Sequence, residues 1–145
     1  MRSTMTTTTL EPLSRTGVGL ADPLDDLRGR KVVDRNDQEV GKVHEVFIDP
    51  SERQARFLSI KSGDVLGFGG KTFLVPVDAI ASANDDRVVI AESRDRILAG
   101  PQVDDEFGID TTTDADVTPS IVTVYEWYGI REPFWSPTYQ RPRWR

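Results

Sequence analysis

The sequence predicts an all-β fold, a small antiparallel β-barrel with one short helix. Between residues 24 and 100, turn residues interrupt β-branched runs roughly every eight to twelve positions, which is the spacing of short strands. No stretch in this span is long enough for the helix that joins two parallel strands, so we expect antiparallel pairing. Closing so small a sheet into a barrel also removes its two unpaired edges.

Five short runs rich in β-branched and aromatic residues are the predicted strands. They are residues 31–33, 39–49, 55–61, 71–77 and 87–91. Polar turns separate them, because Asn and Asp side chains can bond to their own backbone, and a short turn through residue 80 follows the fourth strand. After the last strand, Ser93 is expected to cap a short helix, which Gly100 and Pro101 end.

One face of these strands supplies the predicted core of the barrel. Its members are apolar side chains that alternate along the strands: Val43, Val46, Ile48, Leu58, Ile60, Leu74, Val88 and Ile90. The second strand does not alternate cleanly, since the spacing from Val43 to Val46 is odd and that from Val46 to Ile48 is even. We therefore predict a bulge near His44 and Glu45.

Large apolar side chains on both faces of two strands predict self-association. Phe57 opposes Leu58, and Phe73 opposes Leu74, so a barrel interior can take only one residue of each pair. The other residue must find cover outside. We expect a homodimer to provide it.

The chain divides into four segments by composition and charge. Residues 1–23 offer no apolar period, and we expect them to be disordered. Residues 24–104 form the predicted barrel, residues 105–120 an acidic linker, and residues 121–145 a tail rich in aromatic residues, arginine and proline. The net charge of −6 is unevenly spread, because the linker carries five acids and no base whereas the tail carries four arginines.

Four motifs follow one another within residues 24–104: residues 27–34 (LRGRKVVD), 40–43 (VGKV), 55–60 (ARFLSI) and 66–80 (LGFGGKTFLVPVDAI), followed by the helix after Ser93. In their order and spacing they resemble the PRC-barrel domain, a family named for the photosynthetic reaction centre H subunit and also found at the C-terminal end of a bacterial ribosome maturation factor. The resemblance is to a small stand-alone bacterial member, and the N-terminal and C-terminal segments fall outside it. The resemblance implies a compact barrel used as an assembly or adaptor module, with no shared catalytic residues.

The glycine cluster of Gly67, Gly69 and Gly70 precedes a Lys-Thr pair, an order that ends phosphate-binding P-loops. That motif requires a glycine five residues before Gly70, where this chain has Val65, and a helix after the threonine, where a strand is predicted. We therefore interpret the three glycines as structural loop residues that serve backbone geometry, and we expect no nucleotide binding.

The sequence predicts no catalytic, cofactor-binding or metal-ligating residue. His44 is the only histidine and cysteine is absent, so neither a histidine pair for a metal nor a disulfide can be assembled. Asp34, Asp37 and Asp49 lack the spacing of a calcium loop and are interpreted as turn residues. We expect a protein that is not an enzyme and needs no cofactor.

The C-terminal tail concentrates the aromatic side chains, because all three tryptophans and all three tyrosines lie between residues 125 and 145. We expect a strand at residues 121–125 and, because of three prolines, no regular structure beyond it. Two interpretations stay open. The tail folds back over an outer face of its own barrel supplied by Phe57 and Phe73, or it docks on a partner protein. The candidate interaction residues are Phe57, Phe73, Tyr125, Trp127, Tyr128, Phe134, Trp135, Tyr139 and Trp144.

Three classes of function follow from these observations. The preferred one is a non-catalytic interaction module that associates with itself or docks on another protein through the tail. The alternative is a ribosome- or RNA-associated accessory factor, suggested by the family's other branch and by arginines among aromatics, although the acidic balance disfavours nucleic acid. A small enzyme is the third. No apolar stretch is long enough for a secretory signal or a transmembrane segment, so we expect a cytoplasmic location.

Overall fold

The computed structural model describes residues 9–14, 19–22, 26–49, 52–62, 72–102, 109–110, 121–132 and 138–140. Within these residues, the strands are β1 (Thr9–Pro12), β2 (Lys31–Val33), β3 (Glu39–Asp49), β4 (Gln54–Lys61), β5 (Thr72–Pro76), β6 (Ile80–Ala83), β7 (Arg87–Ile90) and β8 (Ile109–Asp110). The helices are α1 (Arg94–Leu98) and α2 (Ile121–Trp127), and a 3₁₀ turn covers Val77–Ala79. All five predicted strands are present, and β1, β6 and β8 are additional to them.

Six of the strands form a sheet that curls into a half-barrel, in the order β5-β4-β3-β2-β7-β6. The longest strand, β3, pairs with β4 on one side and, on the other, with β2 near its start and with β1 near its end. Among the described strands no ladder joins β5 to β6, so the sheet is open at that point. The predicted all-β barrel fold is confirmed.

Strand β3 contains the bulge that its irregular apolar spacing predicts. The register with β4 passes from Val43 opposite Ile60 to Glu45 opposite Ser59, which leaves His44 as the extra residue. A second shift occurs where Phe47 opposes Phe57 and Ile48 opposes Ala55. Both irregularities increase the local twist, which a sheet needs in order to curl around a core.

One pair of strands departs from the predicted antiparallel arrangement. Strand β2 runs parallel to β7, with Lys31 opposite Arg87 and Val32 opposite Val88. A helical crossover is the usual connection between parallel strands, but it is not the only one. Here strands β3 to β6 themselves form the connection between β2 and β7, so a parallel pair needs no long helix.

The concave side of the sheet encloses the main hydrophobic core. Seven of the eight predicted core residues belong to it: Val43, Val46, Ile48, Leu58, Ile60, Val88 and Ile90. Helix α1 adds Ile97, which is fully buried. As predicted, Ser93 caps this helix, because its hydroxyl accepts a hydrogen bond of 3.4 Å from the backbone N–H of Arg96.

The predicted disorder of residues 1–23 is wrong for the part of that segment that the structure describes. Strand β1 pairs with β3, where Glu11 lies opposite Ile48, and with β8, where Leu10 lies opposite Ile109. Leu10 is fully buried. The segment lacks a periodic pattern because it is one short strand added to the free end of β3, and four residues are too few to show alternation.

Asp34 organises the turn between β2 and β3 and ties it to helix α1. Its buried carboxylate accepts three backbone N–H bonds of 2.8 Å each, from Asn36, Gln38 and Arg94. Burial acts to raise the pKa of this carboxyl group, but the three N–H donors outweigh burial and hold the pKa below its ordinary value. The ionised form therefore stabilises the folded state.

We expect Asp34→Asn to lower the free energy of unfolding by about 2 kcal/mol at pH 7, because an amide cannot accept all three bonds. Because the pKa of Asp34 is lowered in the folded state, the ionised carboxylate stabilises the protein fully above the unfolded-state pKa of about 3.9. This stabilisation is lost as the pH falls through the folded-state pKa. Urea unfolding at pH 7, 5 and 3 measures it. A difference between wild type and variant that stays constant down to pH 3 would contradict this role.

Candidate interaction surface

The convex, outer face of the sheet carries a second hydrophobic cluster. Phe47 of β3, Phe57 of β4 and Leu74 of β5 form its floor and are fully buried. The register explains this set, because Phe47 lies opposite Phe57 and directly opposed side chains share a face. We call these three residues the outer patch.

Helix α2 covers the outer patch together with Leu10 of β1. Val124 is fully buried and Tyr125 is 5% exposed. The rings of Tyr125 and Phe57 have centroids 5.3 Å apart with planes tilted by 47°, a favourable aromatic geometry. Helix α2 thus packs on the outer face of its own barrel.

The strand predicted at residues 121–125 is wrong, because these residues begin helix α2. Their β-branched composition favours a strand only weakly, and packing overrides such a preference. In the helical form, Val124, Tyr125 and Tyr128 fall on one side and pack against the second cluster. Burial of that side decides the conformation.

The end of α2 carries a signal that the sequence prediction missed. Gly129 has a φ of +70°, the left-handed conformation that glycine adopts most readily after a helix. The N–H of Ile130 donates to the carbonyl of Tyr125 at 2.9 Å, and the N–H of Gly129 donates to that of Glu126 at 3.2 Å. This is a Schellman motif, and the order Tyr-Gly-Ile after an aromatic run is its sequence signature.

Trp127 fixes the end of α2 against α1. Its indole N–H donates to the carbonyl of Arg96 at 3.0 Å, and the Arg96 guanidinium donates to the carbonyl of Trp127 at 2.5 Å. The same guanidinium lies 4.3 Å from the centre of the indole ring, within cation–π range. A Cβ on Gly100 would lie 2.7 Å from the indole nitrogen, so this close packing needs a glycine.

A buried polar cluster lies where residues 138–140 meet the barrel. Arg56, the extra residue of the second bulge, forms an ion pair of 3.6 Å with Asp49, and both side chains are less than a tenth exposed. The Arg56 guanidinium lies 5.8 Å from the centre of the Tyr139 ring. Burial raises the pKa of nearby Asp78 and, with the neighbouring Asp78 carboxylate, also raises the pKa of Tyr139.

Three of the nine candidate interaction residues belong to the second cluster: Phe57, Tyr125 and Tyr128. Trp127 packs against α1, and Tyr139 lies beside Arg56. Phe73 is buried but lies opposite Ile60 and so shares the concave face. Leu74, predicted for the core, occupies the outer face instead. The two neighbours exchange roles because β5 enters the sheet with Leu74 opposite Ser59. Phe134, Trp135, Trp144 and the loop glycines Gly67, Gly69 and Gly70 lie outside the described residues.

The side chains on this surface are suited to contact with another polypeptide segment. In the described ranges, no group of three or more His, Asp or Glu side chains could hold a metal ion. None of the helices in the same ranges has the length and apolar character that crossing a bilayer requires. The residues gathered here supply apolar area, aromatic faces and paired charges, which are the means by which one polypeptide segment binds another.

The barrel matches a known protein family. The PRC-barrel domain family matches residues 22–97, which is more than half of the chain. The matched span contains β2 to β7 and most of α1, and it leaves β1, β8 and α2 outside. No curated protein matches the chain. The outer patch thus lies within the family's barrel, whereas the helix that covers it lies beyond the matched residues.

Proposed function

This chain belongs to the PRC-barrel domain family, and we propose that it is a non-catalytic protein-interaction or assembly module. In this proposal the barrel is a platform and the C-terminal segment is its docking element. One observation carries the proposal: a barrel strand face presents Phe47, Phe57 and Leu74, and a helix from outside the family domain binds there. A surface that binds one helix can bind another of the same pattern.

The partner that we propose is a second copy of the chain. The contact between α2 and the outer patch is formed by two separate parts of the chain, so the same contact can form between two molecules. Ten residues separate β8 from α2 and span up to about 34 Å when extended, enough to reach a neighbouring barrel. If two chains exchanged their α2 helices, the outer patch of each barrel would still be covered.

Peptide binding to the full-length protein tests the platform. Val124→Asp places a charge at a fully buried position of α2 and should release the helix, while the barrel residues stay unchanged. A fluorescent peptide of residues 118–132 should bind this variant at least about tenfold more tightly than wild type, whose own helix competes for the patch. Fluorescence anisotropy measures both affinities.

The matched control is the same peptide with Val124 and Tyr125 replaced by serine, which should bind neither protein. If the unaltered peptide shows no affinity for the Val124→Asp protein while circular dichroism shows an intact barrel, the outer patch is not a helix-binding platform.

A further inference from the structure

Four exposed basic side chains lie side by side across four neighbouring strands. Arg87 of β7 is opposite Lys31 of β2, Lys31 is opposite Lys42 of β3, and Lys42 is opposite Lys61 of β4. Adjacent strands are about 4.8 Å apart, so this basic row extends over roughly 14 Å. Opposed side chains share a face, so all four project from the same side of the sheet.

The basic row is unfavourable for folding unless something outside it compensates. Like charges directly opposite each other on neighbouring strands destabilise a sheet. Two members have a carboxylate partner, since Lys31 lies 3.8 Å from Glu39 and Arg87 lies 2.7 Å from Asp37. In the part of the chain described, the ammonium groups of Lys42 and Lys61 form no ion pair. Although the net charge of the chain is −6, two adjacent cations are therefore not paired with a carboxylate of the described residues.

The same two lysines border a groove of about 470 Å³. The rest of its lining comprises Gly29, Glu39, Gly41, Val43, His44 and Ser62. Glu39 is the carboxylate that pairs with Lys31, so the two lysines are the cationic part of the wall. The groove adjoins the outer patch, because Lys61 follows Phe57 by four residues in β4 and projects from the same face. The outer face therefore has an apolar half, which α2 covers, and a basic half.

We propose that the basic row binds the acidic triplet Asp104, Asp105 and Glu106 of a second copy of this chain. The inference rests on the proposed self-association, since the second copy supplies the triplet. Carboxylates of the same chain already pair with Lys31 and Arg87, the other two members of the row. A carboxylate is therefore an anion that fits the geometry of the basic row. Nucleic acid and anionic membranes carry extended negative charge, which the acidic chain as a whole repels. A short acidic triplet is small enough to contact only the groove.

The starting point of the triplet supports this assignment. Gln102 forms an isolated β-bridge with Phe73 of β5. Thr72, which precedes Phe73 in that strand, lies opposite Lys61. The triplet follows Gln102 by two residues in the sequence, and Gln102 pairs with β5 at the edge of the sheet. Two barrels that meet at this edge can therefore each present a triplet to the other's groove.

Binding of a labelled peptide of residues 101–110 to the full-length protein tests the proposal. We expect binding in 50 mM salt that weakens at least about tenfold in 300 mM salt, because the charges are exposed and screened. The double variant Lys42→Gln and Lys61→Gln should lose at least about tenfold in affinity without a lower melting temperature, since it removes repulsion between opposed cations. A merely structural role for these lysines would lower the melting temperature instead.

The matched control is the double variant Arg35→Gln and Arg131→Gln, which removes the same charge from two exposed residues outside the row and should bind within about twofold of wild type. A peptide with Asn, Asn and Gln in place of the triplet should not bind. Unchanged affinity of the lysine variant, or no binding of the acidic peptide in 50 mM salt, would overturn the proposal.

Two further measurements separate this inference from the proposed function. Tighter lysine-dependent binding of a single-stranded RNA or of vesicles containing phosphatidylglycerol than of the peptide would assign the row to a different partner and refute the proposal. Light scattering should show less dimer for the lysine variant than for wild type. A dimer that is unaffected by the lysine changes would refute this inference while leaving the helix-binding platform intact.

Discussion

Replacing Gly41 with alanine is expected to lower the free energy of unfolding by about 3 kcal/mol. Gly41 lies in β3, where a Cβ atom would be 2.2 Å from the carbonyl oxygen of Lys61 and 3.0 Å from the Cα of Ser62. Both contacts are with backbone, so no side chain can move aside to accommodate the methyl group. The end of β4 would have to shift away from β3, and the pairing between Lys42 and Lys61 would be disturbed.

Gly19→Ala is the matched control, because nothing lies within 4 Å of the position that its Cβ would take. We expect it to change the free energy of unfolding by no more than about 0.5 kcal/mol. Urea denaturation of both variants measures the difference. Equal stability of the two would show that the backbones of β3 and β4 do not approach each other at Gly41 as described.

Phe57→Ala is expected to destabilise the protein by about 4 kcal/mol, because it removes a fully buried aromatic ring from between the sheet and α2. The loss of stability has two causes, the cavity left on the outer face and the missing ring contact with Tyr125. Hydrogen exchange should therefore report a second effect, faster exchange of the backbone amides of residues 124–130.

Phe57→Leu separates the two causes, since it keeps most of the buried volume and should cost less than about 1.5 kcal/mol. A double-mutant cycle of Phe57→Leu with Tyr125→Leu should give a coupling energy of about 1 kcal/mol, the magnitude of an aromatic pair. A coupling energy of zero, with unchanged exchange in α2 of Phe57→Ala, would contradict the contact between helix and patch.

Most of the barrel could be predicted from the sequence because its signals are local. Alternation in residues 55–61, the odd spacing around His44 and the hydroxyl of Ser93 each determine the structure of their own segment. What the sequence did not predict depends on pairing between distant segments. The parallel contact of β2 with β7 and the addition of β1 to β3 have no local signature.

The candidate surface was predictable only in part, for the same reason. Two apolar faces on β4 indicated that Phe57 needs cover, but which residue of β5 shares its face depends on a register that no local pattern determines. The conformation of residues 121–127 depends on the patch beneath them, so their β-branched composition pointed to the wrong structure. The Schellman motif at Gly129 and Ile130 does have a local signature, because a glycine directly after an aromatic run indicates the end of a helix.

The outer face of the barrel binds helix α2 through Phe57. Nuclear Overhauser effects between the ring protons of Phe57 and Tyr125 in the full-length protein test it most directly, because the ring centres are 5.3 Å apart. We predict cross-peaks between these rings and helical chemical shifts for residues 121–127. Random-coil shifts for these residues, with no cross-peak from Tyr125 to any barrel side chain, would show that α2 does not pack on the barrel.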